Sequence, residues 1–170
     1  SANNDSFAIG FYGGSYTYSP VIRNNTIVYG SCSYESAGIG STYYAGSGAV
    51  YDLTIDNNII YCGYASPTKP YGIFFENGTI TIDSMQNNDI FDSATALVSL
   101  DGTAYTDIAD VNSLANASSN LSFDLADGAD TYFVDESSDW TLNSGTAVAD
   151  FVSVKTGGID GDSAGWGYTT

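Results

Sequence analysis

The chain has 170 residues, enough for one domain with a sizeable core. Its 20 acidic residues face only 3 basic ones and no His, so the formal net charge is −17. A surface of this sign repels nucleic-acid phosphates and anionic lipids, and no apolar run reaches the ~20 residues that span a bilayer. We therefore expect no nucleic-acid binding and no membrane insertion, and we expect neutral glycans or other copies of the chain as partners.

A short phrase centred on two Asn residues occurs three times in the first half of the chain. The copies lie at 22–28, 55–61 and 85–91, and their Asn pairs begin at positions 24, 57 and 87. Self-similarity at an interval of about 30 residues indicates one structural unit per repeat, stacked on the next.

Residues 1–96 have the pattern of short β-strands rather than of helices. Segments 26–29, 50–55 and 79–82 alternate with period two and are rich in β-branched and aromatic residues. Clusters of Gly and Ser separate these segments. We therefore predict an all-β fold built from parallel, stacked coils over 1–96.

The repeated Asn pairs have a physical use in such a stack. Each turn lies directly above the same turn of the next repeat, about 4.8 Å away. An Asn amide both donates and accepts, so identical Asn residues hydrogen-bond along the stack, and Asn also tolerates a left-handed bend. The alternative is that Asn-Asn is only a common turn dipeptide. We predict an asparagine ladder of Asn24, Asn25, Asn57, Asn58, Asn87 and Asn88, with inner columns Ile22/Ile55/Met85 and Ile27/Ile60/Ile90, and with Arg23, Asp56 and Gln86 facing solvent.

Residues 97–170 have a different composition, with twelve acidic residues and Lys155 as the single base. We interpret this part as a loop-rich, acidic capping region of the same domain. It is predicted to hold a short helix near 110–117 and strands around 131–134, 139–142 and 147–154.

The repeat phrase Ile-x-Asn-Asn-x-Ile resembles that of secreted right-handed parallel β-helix proteins of the pectate-lyase-like superfamily. Segments 130–135, 139–142 and 144–150 resemble the closing segment of many such surface proteins. The resemblance implies a right-handed parallel β-helix of few coils, located extracellularly or at a cell or virion surface. The usual Pro near Thr146 is absent and the chain begins with Ser1, so we expect a piece of a longer protein.

The resemblance also supplies a test for enzymatic activity. Hydrolases of this superfamily pair an Asp cluster with a His, which this chain lacks, and its lyases use Ca²⁺ with an Arg or Lys base. The candidate bases are Arg23, Lys69 and Lys155. Arg23, one repeat from Asp56, is explained more simply by a surface ion pair. We therefore assign no catalytic residue and lean against an enzyme.

Two weaker signals concern metals and thiols. Asp160 and Asp162, among glycines, resemble the first half of a calcium loop, although an ordinary acidic turn is the alternative. We expect no other cofactor. Cys32 and Cys62 are the only cysteines, and a disulfide between them, worth ~3 to 4 kcal/mol, and two free thiols both remain open.

Tyrosine is the residue type that points most directly to binding. Eleven of the 14 Tyr lie by residue 71, and Tyr gives large contact area with a polar tip. The alternative is that these rings fill outer ladders of the stack. We predict contacts with glycans or a neighbouring subunit at Tyr16, Tyr18, Tyr43 and Tyr44.

These features favour a non-catalytic extracellular or surface structural protein. A β-helix end exposes unpaired strand edges, which invite pairing with another chain. We therefore expect self-assembly, as a filament, sheath or appendage subunit, or a role in adhesion. The alternative is a carbohydrate-binding module or the C-terminal fragment of a polysaccharide lyase.

Overall fold

The computed structural model describes residues 6–11, 15–29, 36–41, 48–62, 70–91, 93, 95–122, 133–135 and 139–142. Within these ranges the chain is mostly β-structure with one short helix, which agrees with the predicted all-β class. The elements are β1 (Ser6–Phe11), β2 (Thr17–Tyr18), β3 (Val21–Arg23), β4 (Thr26–Tyr29), β5 (Ser36–Ser41), β6 (Ala49–Asp56), β7 (Ile59–Cys62), β8 (Pro70–Phe75), β9 (Gly78–Gln86), β10 (Asp89–Phe91), β11 (Ala96–Leu100), β12 (Thr103–Tyr105), α1 (Ile108–Asn112), β13 (Ala117–Ser118), β14 (Phe133–Asp135) and β15 (Asp139–Leu142).

The strands form three sheets that are parallel almost throughout. The first sheet has the order β1-β5-β8-β11, with β12 added antiparallel at its end. In the second sheet β2 and β3 pair with β6, followed by β9 and β13. The third sheet has the order β4-β7-β10, and β14 with β15 forms a separate antiparallel pair. Each repeat therefore contributes a strand to each of the three parallel sheets.

The register of the strands confirms the predicted inner columns. Ile22 pairs with Ile55, which pairs with Met85, and none of the three is more than 7% exposed. The second column, Ile27, Ile60 and Ile90, is equally buried. Because neighbouring side chains of a strand point to opposite faces, this register places all six members of the two columns in the core.

The first and third sheets approach each other at two glycines. A Cβ atom added to Gly72 would lie 2.2 Å from the Ile90 Cγ2 atom, and one added to Gly38 would lie 2.4 Å from the Ile60 Cγ2 atom. Real Cβ atoms are never this close to a neighbour. The lack of a side chain at the two glycines therefore allows the third sheet to pack this close to the first.

The end of the stack after β11 carries a cap. Helix α1 begins after Asp107, whose carboxylate accepts a hydrogen bond from the Ala109 N–H at 2.8 Å. Val111 inserts into the core and is fully buried. The helix lies slightly before the predicted position near 110–117 because Asp107 is its N-cap. β14 and β15 coincide with the strands predicted around 131–134 and 139–142, and the one predicted at 147–154 is outside the described residues.

Candidate functional site

The second Asn of each repeat forms a column of hydrogen-bonded amides. The Asn25 Nδ2 atom donates to Asn58 Oδ1 at 3.1 Å, and Asn58 Nδ2 donates to Asn88 Oδ1 at 3.0 Å. The backbone N–H of each donor residue reaches the same oxygen, at 3.1 and 3.0 Å. Each acceptor oxygen thus receives two hydrogen bonds from the preceding repeat. This is the ladder-like hydrogen bonding that the sequence predicts.

The column extends two residues beyond those that the sequence predicts. Asn88 Nδ2 donates to Asn120 Oδ1 at 2.9 Å, and Asn120 Nδ2 donates to Asn112 Oδ1 at 2.9 Å. Asn112 lies in α1 and also bonds the backbone N–H and C=O of Asn120. The signal that could have revealed Asn120 is the Ala-Ser-Ser-Asn-Leu run at 117–121, in which Ser119 replaces the first Asn and takes the same left-handed φ of 57°.

The first Asn of each pair has a different role from the predicted one. Asn24, Asn57 and Asn87 have φ values of 58°, 56° and 54°, so they form the left-handed bends between the second and third sheets. Both polar atoms of the buried Asn57 side chain lack a hydrogen-bond partner. The ladder prediction is therefore wrong for Asn57, and for Asn24 and Asn87 it stays a prediction.

The prediction that Asp56 faces solvent is also wrong. The residue is fully buried, and its carboxylate accepts from Arg23 Nε at 3.1 Å, from Ser84 Oγ at 2.7 Å and from the Gln86 N–H at 3.1 Å. Three donors compensate the burial of a carboxylate, which would otherwise be costly. The Arg23–Asp56 ion pair expected from the repeat phase is present, and the Arg23 side chain is 41% exposed.

The predicted tyrosine contacts separate into two kinds. Tyr18 lies in β2 rather than in a loop, and its ring stacks on the buried Tyr51 ring at 5.5 Å. Tyr16 is 66% exposed and meets Tyr18 edge-on at 6.3 Å. Burial raises the pKa of the Tyr51 hydroxyl, while Ser41 offsets part of the rise and Tyr18 adds to it. Tyr43 and Tyr44 lie outside the described residues.

The outermost strands of the three sheets, β1 to β4, form an open edge at the start of the stack. The Asn24 N–H donates to the Asp56 C=O, and Pro20 C=O accepts from the Thr54 N–H. Since backbone groups of a strand alternate in direction, the intervening Val21 N–H points away from β6. No described residue pairs with it, and the Val21 side chain is 64% exposed. We call β1 to β4 with Val21 and Asn25 the open edge.

Several predicted site residues cannot be placed in the fold. Cys32, Lys69, Lys155, Asp160 and Asp162 all lie outside the described ranges, whereas Cys62 ends β7. Within those ranges, no group of three His, Cys, Asp or Glu side chains is arranged to hold a metal ion. The one helix described there is too short to cross a membrane.

Comparison with known proteins gives no family assignment. No family model, no curated protein and no solved structure matches the chain. The function is therefore inferred from the geometry of the open edge, the amide column and the tyrosines.

Proposed function

We propose that the described repeats form a right-handed parallel β-helix and that the protein is a non-catalytic structural component of an extracellular or surface assembly. The support for the fold is that successive repeats place their strands side by side in each of three sheets. Such a stack is rigid and is stabilised by contacts between neighbouring repeats. The proposed activity is self-assembly, as a filament, sheath or appendage subunit.

The observation that carries this proposal is the open edge. β1 and β4 are terminal strands of their sheets, and β2 and β3 pair only with β6 among the described strands. A row of unpaired N–H and C=O groups is a template for pairing with another chain. The opposite end differs, because β12 and α1 cover part of it and Val111 fills the core beneath. The two ends are thus unequal, and the open edge is the contact surface.

The chemistry of the open edge suits a backbone partner. No described residue accepts from the Val21 N–H, and the Asn25 amide, the first of the column, has its Oδ1 atom without a described donor. The exposed Val21 side chain adds apolar area to the same surface. A second copy that pairs here gains main-chain hydrogen bonds and buries Val21 at once.

The test is self-association of the full chain and of two Val21 variants. Val21→Pro removes the outward N–H on an edge strand, where Pro is tolerated, whereas Val21→Ala keeps the N–H and removes only apolar area. Sedimentation velocity and electron microscopy over a range of concentrations report the assembly. We expect Val21→Pro to weaken association at least tenfold relative to Val21→Ala, with the same circular dichroism spectrum.

Two results would overturn self-assembly at this surface. One is a wild-type chain that stays monomeric up to about 1 mM, a concentration that corresponds to about 4 kcal/mol of binding free energy. The other is association of Val21→Pro that equals that of Val21→Ala, since strand pairing at this position requires the N–H.

Tyr16 favours a second candidate function, the binding of neutral glycans. Its ring is 66% exposed and is held edge-on by Tyr18, which is itself stacked on the core. An anchored, exposed aromatic ring with a polar tip is a surface that suits a sugar face. A glycan array probed with and without Ca²⁺ tests this function. Binding that Tyr16→Ala abolishes and Val21→Ala preserves would support it, and an array without signal would exclude it.

A further inference from the structure

A groove of about 640 Å³ lies beside the first half of β9. Its walls include Ile80 and Ile82 of β9, Leu100 at the end of β11, and Tyr105 and Leu114 on either side of α1. β13 pairs only with Met85 and Gln86, so among the described strands none lies next to Gly78–Ile82 on this side, and the groove occupies that space. It lies at the opposite end of the stack from the open edge.

The floor of the groove is an unpaired strand edge. The Val50 and Thr54 N–H groups donate to the preceding strands, so Tyr51 and Leu53 between them face β9. Their register partners Ile80 and Ile82 therefore direct their backbone groups away from β6, into the groove. In agreement, the Asn116 Nδ2 atom reaches the Ile82 C=O from this side at 2.8 Å. No described residue bonds the Ile80 N–H or C=O.

The side chains along this edge belong to columns that end at β9. Tyr18, Tyr51 and Ile80 occupy successive positions of one column, and Leu53 and Ile82 share the next. Ile80 and Ile82 are each only partly buried, and no strand in the described part of the chain covers them. An added strand with apolar side chains at alternate positions would continue both columns.

We propose that this groove binds an extended segment of another polypeptide, which adds as a strand to the free edge of β9. A free backbone edge selects a polypeptide, because main-chain hydrogen bonds provide the affinity and alternate side-chain positions provide the specificity. The segment carries apolar side chains over Ile80 and Ile82. Asp101 is the one charged residue among the described residues of the lining. The bound segment therefore lacks acidic residues and carries a basic one near Asp101. The inference does not depend on self-assembly.

The chain itself suggests the probe. Residues 50–53 already pair with Thr79–Ile82 on the other edge of β9. A fluorescein-labelled peptide of residues 50–54 with Asp52→Lys has the alternation that the groove requires and a cation for Asp101. The matched control is the same peptide N-methylated at the substituted position, whose N–H is the one that would reach the Ile80 C=O. Binding to the full chain is measured by fluorescence anisotropy.

Two protein variants locate the binding. Ala115→Trp fills the rim of the groove at an exposed residue, and Ala109→Trp places the same ring on the exposed face of α1, outside the lining. Both variants are checked by circular dichroism and thermal unfolding. We expect a Kd below about 1 mM for the peptide, at least fivefold weaker binding to Ala115→Trp and of the methylated peptide, and unchanged binding to Ala109→Trp.

The proposal is overturned by any of three results. The first is the absence of saturable binding up to about 1 mM, which shows that no foreign strand enters the groove. This result includes the case in which another part of the chain already fills the groove. Equal affinity of the methylated peptide shows that the backbone is not paired. Equal losses in the two tryptophan variants show that the groove is not the site.

Discussion

Asn88 donates its side-chain amide to Asn120 Oδ1 at 2.9 Å, although 32 positions and a helix separate the two residues. Asn120 is 2% exposed, so this bond is made away from water. The amide column therefore joins the three repeats recognisable in the sequence to the capping segment that follows them. The first property to test is how much this column contributes to the free energy of unfolding.

Asn58→Ala is expected to be among the most destabilising substitutions in the chain. The Asn58 amide is fully buried and takes part in five hydrogen bonds, to the Ile22 C=O, the Asp56 C=O, Asn88 and twice to Asn25, all of which the substitution removes. At about 0.5–1.5 kcal/mol for each hydrogen bond, we expect a loss of about 3–5 kcal/mol. Urea unfolding measures it. Asn25→Ala, at the half-buried end of the column, is the control and should lose about 1 kcal/mol. Equal losses would contradict the expectation that the buried part of the column contributes more to stability than its half-buried end.

Substitutions of Asn57 separate the effect of the left-handed bend on stability from the effect of the buried side-chain amide. Its φ of 56° is unfavourable for any residue with a Cβ atom except Asn and Asp, and its buried amide has no partner. Asn57→Gly and Asn57→Ala both remove the amide, but only Gly adopts this φ freely. We expect the Gly variant to be more stable than the Ala variant by about 1 kcal/mol, and at least as stable as the wild type. Thermal unfolding of the three proteins compares them. An Ala variant as stable as the Gly variant would contradict the left-handed bend.

The buried carboxylate of Asp56 is expected to couple to Arg23. A double-mutant cycle with Arg23→Met and Asp56→Asn isolates the pair from the Ser84 and Gln86 contacts. Because the Arg23 side chain is 41% exposed, we expect a coupling free energy of about 1 kcal/mol, well below that of a fully buried pair. Unfolding measured at low and high salt should show the coupling decrease with ionic strength. A coupling near zero at low salt would mean that Ser84 and Gln86 alone stabilise the carboxylate.

The buried Tyr51 hydroxyl predicts a loss of stability at alkaline pH. Its pKa is raised in the folded chain, mainly by burial, so above about pH 10 the unfolded chain loses this proton while the folded chain retains it. Unfolding then releases a proton. The free energy of unfolding is unaffected below that pH and falls above it, by up to about 1.4 kcal/mol per pH unit. Tyr51→Phe should show a shallower decline than the wild type between about pH 9 and 11. Identical slopes in urea titrations would exclude this residue as the cause.

The parts of the fold that the sequence predicts are those in which local pattern and stacking agree. The apolar neighbours of each Asn pair set the register of Ile22, Ile55 and Met85, because a slip of one residue would turn all of them to solvent. This alignment also predicts the ladder-like bonds of Asn25, Asn58 and Asn88.

The sequence pattern fails where burial depends on distant partners. Asp56 reads as a surface residue, because the Ser84 hydroxyl and the Gln86 N–H that satisfy it come from the next repeat. Asn120 escapes detection because α1 interrupts the repeat and Ser119 replaces the first Asn. The groove beside β9 lies where no described strand pairs with Gly78–Ile82, and only the tertiary structure shows that this part of the edge is unpaired.

The amide column is electrically polar. The side-chain carbonyls of Asn58, Asn88 and Asn120 each accept from the preceding Asn, and one side-chain N–H of each residue donates toward the cap, so these small dipoles add. The second N–H of Asn58 and of Asn88 donates instead to a backbone carbonyl of the preceding repeat. The partial negative end of the column is therefore at Asn25. At the partial positive end, the Asn120 N–H donates to Asn112 Oδ1. If two copies met face to face at this end, the two Asn25 side-chain oxygens would point at each other and repel. In the proposed self-assembly, a neighbour that docks there would have to bring an N–H group, so only one relative orientation of the two copies would be favourable.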